Sequence, residues 1–356
     1  MNRGLFFLLL HVLFSFALFS QSNSILSSGN WYRITTIQNG IYQLTYSDLQ
    51  ELGVNTANLE ISDIKIYGNG GGMLPELNSE FRCSDLIENA IQVHDLNNNG
   101  IFENTDYILF YGTSADAWTL NTNTNLFDYH KHLYDDQVSY FLTINNQFPG
   151  KRVGNKVFVA DPNITISTYN SYLKHEEDLI NLISSGKKWF GEQFNYDSQK
   201  SFVFSFPDLI QSENINISIA VVARSFQQSS FNMNVNSSFL TSLMIPAVST
   251  EYAQEYAKEK SSLVECLVTS PNINIDLEYN SSDYGAKAWL DYIQINSRSK
   301  IRLNDNYLIF RDITSLGSGI GEYKIENASN VSVWDITDPT NISSLMTSMD
   351  GNTLSF

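Results

Sequence analysis

Cysteine, positive charge and long apolar runs are all scarce in this chain, and each shortage removes a class of protein. Cys83 and Cys266 are the only 2 cysteines in 356 residues, too few for a small disulfide-stapled scaffold. A bridge between them would have to link two separate domains. Lys and Arg total 21 against 38 Asp and Glu, a formal net charge of −17. Proteins that grip a phosphate backbone draw affinity from Lys and Arg that displace counterions, so no nucleic acid partner is expected. Beyond the N-terminus no stretch reaches the roughly 18 uninterrupted apolar residues that a membrane-spanning helix needs.

Catalytic signatures are missing too. Gly68, Gly70, Gly71 and Gly72 follow a strand pattern, but no Lys-Ser/Thr pair comes after them and Met73-Leu74-Pro75 does not open a helix. They read as a turn that uses positive φ rather than as a phosphate loop. His175-Glu176 would begin H-E-x-x-H, but Leu179 stands where the second His belongs. A cysteine nucleophile needs a base within hydrogen-bond reach and an electropositive setting. Cys83 sits among Glu76, Glu80 and Asp85, and Cys266 follows Glu265 in an apolar strand, so both read as structural. Glu176 and Glu177, adjacent on an expected helix, point to different faces and read as a solvated charge run.

What is present begins with an export signal. Arg3 and Gly4 precede a mostly apolar run from Leu5 to Phe19 and then Ser20, Gln21 and Ser22, the plan of a signal peptide over 1–22. The mature chain is expected to start near Asn23 and, with no cysteine close by to carry a lipid, to be exported and soluble. Its length accommodates two domains with their own cores.

Short runs of β-branched and aromatic residues separated by Asn, Ser and Gly predict a mostly β fold. Asn39-Gly40 predicts a tight hairpin over 31–46. Ser47, with Gln50 three residues on and Gly53 beyond, predicts one helical turn over 48–52. Strands at Asp63–Tyr67, Ala90–His94, Tyr107–Tyr111 and Val138–Ile144 complete an N-terminal β domain over 23–160. A stripe of Tyr172, Leu173, Leu179, Ile180 and Ile183, ended by Gly186, predicts a helical connector within 161–186. Residues 187–303 read as a jelly-roll-like β-sandwich, with strands near Phe202–Phe206, Ile215–Ala223, Phe231–Val235, Ile273–Tyr279 and Trp289–Ile295. Trailing strands follow over 304–356, at Asn306–Arg311, Glu322–Ile325 and Val331–Ile336.

Two clusters invite metal. Asp95, Asn97 and Asn99 occupy positions 1, 3 and 5 of a D-x-N-x-N-G loop, Gly100 makes the turn, the Ile101 carbonyl lies at 7 and Asp106 at 12. Calcium requires hard oxygens at such alternating positions. Asp rather than Glu at the last place, and amides at two early ones, predict modest affinity; the competing reading is a polar hairpin loop that binds nothing. His130 and His132 alternate on an extended segment beside Asp128, Asp135 and Asp136, a spacing that permits metal without requiring it.

Several blocks carry a family resemblance: W-Y-R-I with G-I-Y-Q-L-T-Y, I-K-I-Y-G-N-G-G-G-M-L-P-E, G-I-F-E-N-T-D-Y-I-L-F-Y-G, L-Y-D-D-Q-V-S-Y-F-L-T, H-E through W-F-G-E-Q-F, W-L-D-Y-I and V-W-D-I-T-D-P. Spread over about residues 31 to 340, they resemble the region upstream of the peptidase domain in the type IX secretion sortases, which are gingipain-like cysteine peptidases. In that family the catalytic unit follows and bears a Gly-His-Gly motif and a later Cys. This chain has no Gly-His-Gly, so no catalytic residue carries over, and His132 stands where Asn is expected. The resemblance implies a surface protein of the outer membrane whose complete form removes the C-terminal sorting domain of secreted cargo and joins cargo to lipopolysaccharide. This region would be its β-rich platform, leading toward a peptidase domain. The implied partners are that domain, the cargo and other type IX components. The rival reading is a stand-alone secreted adhesin or carbohydrate-binding β module.

Overall fold

The computed structural model describes residues 23–356 except 158, 160, 185, 252, 253 and 318. The expected signal peptide lies outside the described residues. No helix among them is long and apolar enough to cross a membrane. The chain is almost entirely antiparallel β, in three packed units.

The first unit holds β1 (Tyr32–Thr36), β2 (Gly40–Thr45), β3 (Ile64–Tyr67), β4 (Glu88–Asn89), β5 (Ile91–His94), β6 (Tyr107–Gly112), β7 (Ala117–Asn121), β8 (Leu126–His130) and β9 (Val138–Ile144). One sheet runs β1-β9-β3-β4 and the other β2-β6-β5, while β7 and β8 form a separate hairpin. Leu44, Ile64, Ile91, Phe102, Phe110 and Tyr140 fill the core between the sheets.

The hairpin expected at Asn39-Gly40 does not form. β1 pairs with β9 and β2 with β6, neither Asn39 nor Gly40 has positive φ, and the Asn39 side chain instead accepts from the Ser114 N–H at 3.0 Å. Two stacked sheets bury more apolar surface than one ribbon, so the chain crosses layers here. The single α-helix among the described residues, α1 (Tyr46–Glu51), starts before the predicted turn because Thr45, not Ser47, caps it: Asp48 N donates to Thr45 Oγ1 and Thr45 N to Asp48 Oδ2, a reciprocal box.

The segment between the first two units contributes β10 (Gly154–Lys156), β11 (Ile164–Ile166) and β12 (Thr168–Glu176). The helical connector expected within 161–186 is therefore absent among the described residues: β11 and β12 take its first part, and 177–184 is irregular. β12 pairs residue for residue with a later strand from Lys300 back to Tyr292. The run T-Y-N-S-Y-L-K-H-E satisfies an open sheet edge along its whole length, and that pairing outweighs an imperfect helical stripe.

The second unit is the expected sandwich, entered at β12 and continued by β13 (Gln193–Phe194), β14 (Gln199–Ser205), β15 (Asn214–Arg224), β16 (Ser229–Val235), β17 (Ser238–Ile245), β18 (Lys258–Leu267), β19 (Asn272–Ser281) and β20 (Lys287–Lys300). Its sheets are β12-β20-β15-β18, with β13 added to β20, and β14-β19-β16-β17. Strict alternation in β16 and β19 sends Phe231, Met233, Ile273, Ile275 and Leu277 inward.

The third unit has β21 (Gly321–Glu326), β22 (Val333–Asp335), β23 (Ser343–Leu345), β24 (Ser348–Asp350) and β25 (Thr353–Ser355). β10 pairs with β23 and β11 with β21, both in parallel, so this unit borrows strands from the segment that leaves the first. The strand expected at Asn306–Arg311 is instead an irregular strap. Its Ile309 packs with Ala90, Tyr111 and Ile342 and its Leu308 and Phe310 with the third unit's core.

Candidate functional site

The oxygen-rich loop sits where the sequence placed it, joining β5 to β6, which pair from His94↔Tyr107 to Ile91↔Phe110. Asn98 and Gly100 take φ of 55° and 80°. Asp95 Oδ2 accepts from Gly100 N at 2.8 Å, and Asn99 Oδ1 from Ile101 N at 2.7 Å. Asp106, 2 % exposed, accepts from Leu96 N at 3.0 Å and Glu103 N at 2.8 Å. Glu103, which stands outside the expected ligand set, accepts at Oε2 from the amides of Asn97 at 2.5 Å and Asn99 at 3.1 Å. Positions 3, 5 and 9 of the loop thus meet through the amide N–H groups of Asn97 and Asn99, while the oxygens of both amides accept backbone N–H bonds within the turn. No group of three His, Cys, Asp or Glu with metal-binding geometry occurs among the described residues.

The other metal cluster does not assemble. His130 Nε2 bonds Thr119 Oγ1 across the hairpin at 2.7 Å, whereas His132 Nδ1 accepts from Asp135 N at 3.0 Å in its own turn. Both thiols are free, and burial, reinforced by Glu265, pushes that of Cys266 up. The glycine run is the expected turn, with φ of 75° at Gly70 and 93° at Gly72.

A junction the sequence did not reveal lies between the β7–β8 hairpin and the outer face of the sandwich. Phe127 N donates to Asn296 Oδ1 at 2.8 Å, and Asn296 Nδ2 returns a bond to Phe127 O at 2.9 Å. The amide thereby replaces a missing neighbouring strand. Tyr129 N donates to Gln294 Oε1 at 3.3 Å. The rings of Trp118 and Phe127 lie 4.4 and 4.9 Å from that of Tyr172, and Lys174 Nζ lies 4.1 Å above Tyr129. Lys131 pairs with Asp178 at 2.8 Å. No sequence signal marks these contacts, since each joins polar or aromatic residues of ordinary type far apart in the chain.

Glu176 lies at this junction and is not part of a solvated run. Burial pushes its carboxyl from 4.5 to about 7 against the pull of Lys174 and Lys131, with Asp291 and Asp178 adding to the rise. Asp291 is likewise raised by burial, from 3.8 to about 6. A raised carboxyl pKa means that between about pH 4.5 and 7 the folded state holds a proton that the unfolded chain has released. Stability therefore falls as pH rises through that window. Glu176→Gln is expected to melt at the parent's temperature near pH 4 and above it at pH 8; an equal gain at both pH values would disprove the assignment.

On the neighbouring edge, His175 Nε2 bonds Glu192 Oε1 at 2.7 Å, joining the ends of two strands that both pair with β20. Burial would raise the Glu192 carboxyl, but the His175 bond and its own backbone N–H hold it below its ordinary value.

These features define a class: a multi-unit β platform whose units are locked by polar seams. Among solved structures the chain is similar to dimeric latent PorU from Porphyromonas gingivalis, with a TM-score of 0.76 and 19% identity over 94% of this chain and 30% of that one. The chain has the fold of a PorU-type region and spans less than a third of that protein's length. Weaker likenesses are a CBM36 carbohydrate-binding module in complex with calcium and xylotriose (TM-score 0.25, 14% identity, 35% of this chain and 98% of that one) and a family 35 module from Clostridium thermocellum (TM-score 0.23, 14% identity, 38% and 98%). No protein-family model and no curated protein matches the chain.

Proposed function

We propose that this chain is the non-catalytic platform of a type IX secretion sortase, exported through its signal peptide to the outer membrane surface. The observation that carries the reading is the PorU-type fold across 94% of the chain, which agrees with the ordered sequence blocks. In this reading the three units pack against a gingipain-like peptidase domain and help position cargo bearing C-terminal sorting domains, or another type IX component. The peptidase domain does the cutting and transfer to lipopolysaccharide.

In-frame deletion of the codons for residues 23–356 is expected to leave cargo with its sorting domain attached, while the Cys83→Ala/Cys266→Ala double variant processes cargo as the parent does. Normal processing after the deletion would overturn the platform role. Cargo cleavage by purified residues 23–356 would overturn the non-catalytic one.

Calcium at the β5–β6 loop is part of the proposal. Asp95, Asn97, Asn99, the Ile101 carbonyl and Asp106 would hold it, with Glu103 at position 9, and the ion would stiffen the hairpin that organises the first core. Calorimetric titration with calcium chloride is expected to show saturable heat of modest affinity that Asp95→Ala abolishes. Absence of heat at millimolar calcium would leave the loop a purely structural turn.

A further inference from the structure

A cleft of about 380 Å³ opens where four separated pieces of chain meet: Trp118 of β7, Tyr169 and Tyr172 of β12, the Ser205–Asp208 turn and the strap from Arg302 to Ile309. Its volume falls within the range of small-molecule pockets, about 300–1,000 Å³. The lining mixes aromatic faces with hydrogen-bonding groups that the fold leaves unused. The hydroxyls of Tyr169 and Tyr307, the indole N–H of Trp118 and the Asp305 carboxylate have no hydrogen-bond partner among the described residues. Tyr307 is 57% exposed and stacks on no other ring, so its face is free.

Charge narrows the ligand. The lining contains no Lys or His, and its one Arg is already committed: Arg302 Nη1 bonds Asp208 Oδ1 at 3.0 Å and its Nε bonds Glu326 Oε2 at 2.9 Å. With Asp208 and Asp305 also facing the space, no uncommitted cation is left in the lining to hold a phosphate, sulfate or carboxylate. A basic peptide would suit the charge, but its Lys and Arg side chains carry donors only and offer nothing to the indole N–H. Hydroxyl groups both donate and accept, and so satisfy the carboxylate and the unpaired donors together, while the C–H face of a sugar ring packs on an aromatic plane.

We propose that this cleft binds a neutral oligosaccharide, with Tyr307 as the stacking platform and Asp305, Trp118 and Tyr169 reading hydroxyls. The site joins the first unit, the sandwich and the strap and is independent of any peptidase partner.

The test titrates residues 23–356 with short gluco-, manno- and xylo-oligosaccharides, following tryptophan fluorescence and saturation-transfer NMR. An acidic oligogalacturonate and a lysine-rich peptide serve as controls. Saturable binding of at least one neutral series is expected, weakened about tenfold or more by Tyr307→Ala, several-fold by Asp305→Ala, and little by Tyr307→Phe, with melting temperatures unchanged at these exposed positions. No saturable binding of any neutral series, binding that Tyr307→Ala leaves intact, or preference for the acidic sugar or the peptide would overturn the proposal.

Discussion

Arg298→Ala is expected to cost about 3–5 kcal/mol, the penalty for stranding a buried charge. Arg298, on β20, sends Nη1 to Asp312 Oδ1 at 2.6 Å and Asn170 Oδ1 at 2.9 Å, and Nη2 to Thr168 Oγ1 at 2.5 Å. The Asp312 side chain is 0% exposed and also accepts from Thr314 Oγ1 at 2.6 Å. One guanidinium thus ties the end of the strap to β12 and β20, and it is the only cation paired with this buried carboxylate among the described residues. Urea denaturation would measure the loss. The Arg298→Met/Asp312→Leu double variant should recover much of it, because removing both charges avoids the desolvation cost. A loss below about 1 kcal/mol, the size of a surface pair, would show that Asp312 finds another partner.

Gly71→Ala is expected to destabilise by about 3 kcal/mol, at the upper end for forced overpacking. A Cβ there would lie 1.8 Å from the Ser114 carbonyl oxygen and 3.1 Å from Ala115 Cα. Both are backbone, and the neighbouring Gly72 N donates to Ala115 O at 2.8 Å, so neither side yields without breaking the contact. Gly154→Ala is the control, since nothing lies within 4 Å of its added Cβ. Equal thermal melting of the two variants would show that the Gly71 segment shifts freely.

Gly71 also marks how far the sequence can be read. The glycine run declared a turn because positive φ at Gly70 and Gly72 is a local property of the chain. It did not declare that Gly71 presses on Ser114, a contact between segments that no periodicity links. The D-x-N-x-N-G loop was legible as a turn for the same local reason: its Asp and Asn positions and its flanking strands lie within one continuous stretch. Glu103 was the exception, overlooked although it stands at the ninth position. Asn39-Gly40 misled because the dipeptide records a turn preference, whereas the partner of each strand is chosen by burial between two sheets. β12 misled because its apolar spacing satisfied a helix loosely, and only the length of β20 lying open beside it decided for a strand. The Asn296 clamp, the Arg298 network and the rise of Glu176 were invisible, since burial and the identity of distant neighbours create them.

By itself, then, the sequence determined the β class, the sandwich in the middle of the chain, the polar loop between two paired strands and the family likeness. All of these reside in short-range patterns of side-chain chemistry, which survive whatever the rest of the chain does. Tertiary structure alone decided which strands pair, that the third unit borrows β10 and β11 from an earlier segment, and that four remote pieces enclose one cleft. Those outcomes depend on which open edges and apolar faces meet in space, and the free energy of such meetings belongs to pairs of residues that the linear order keeps apart.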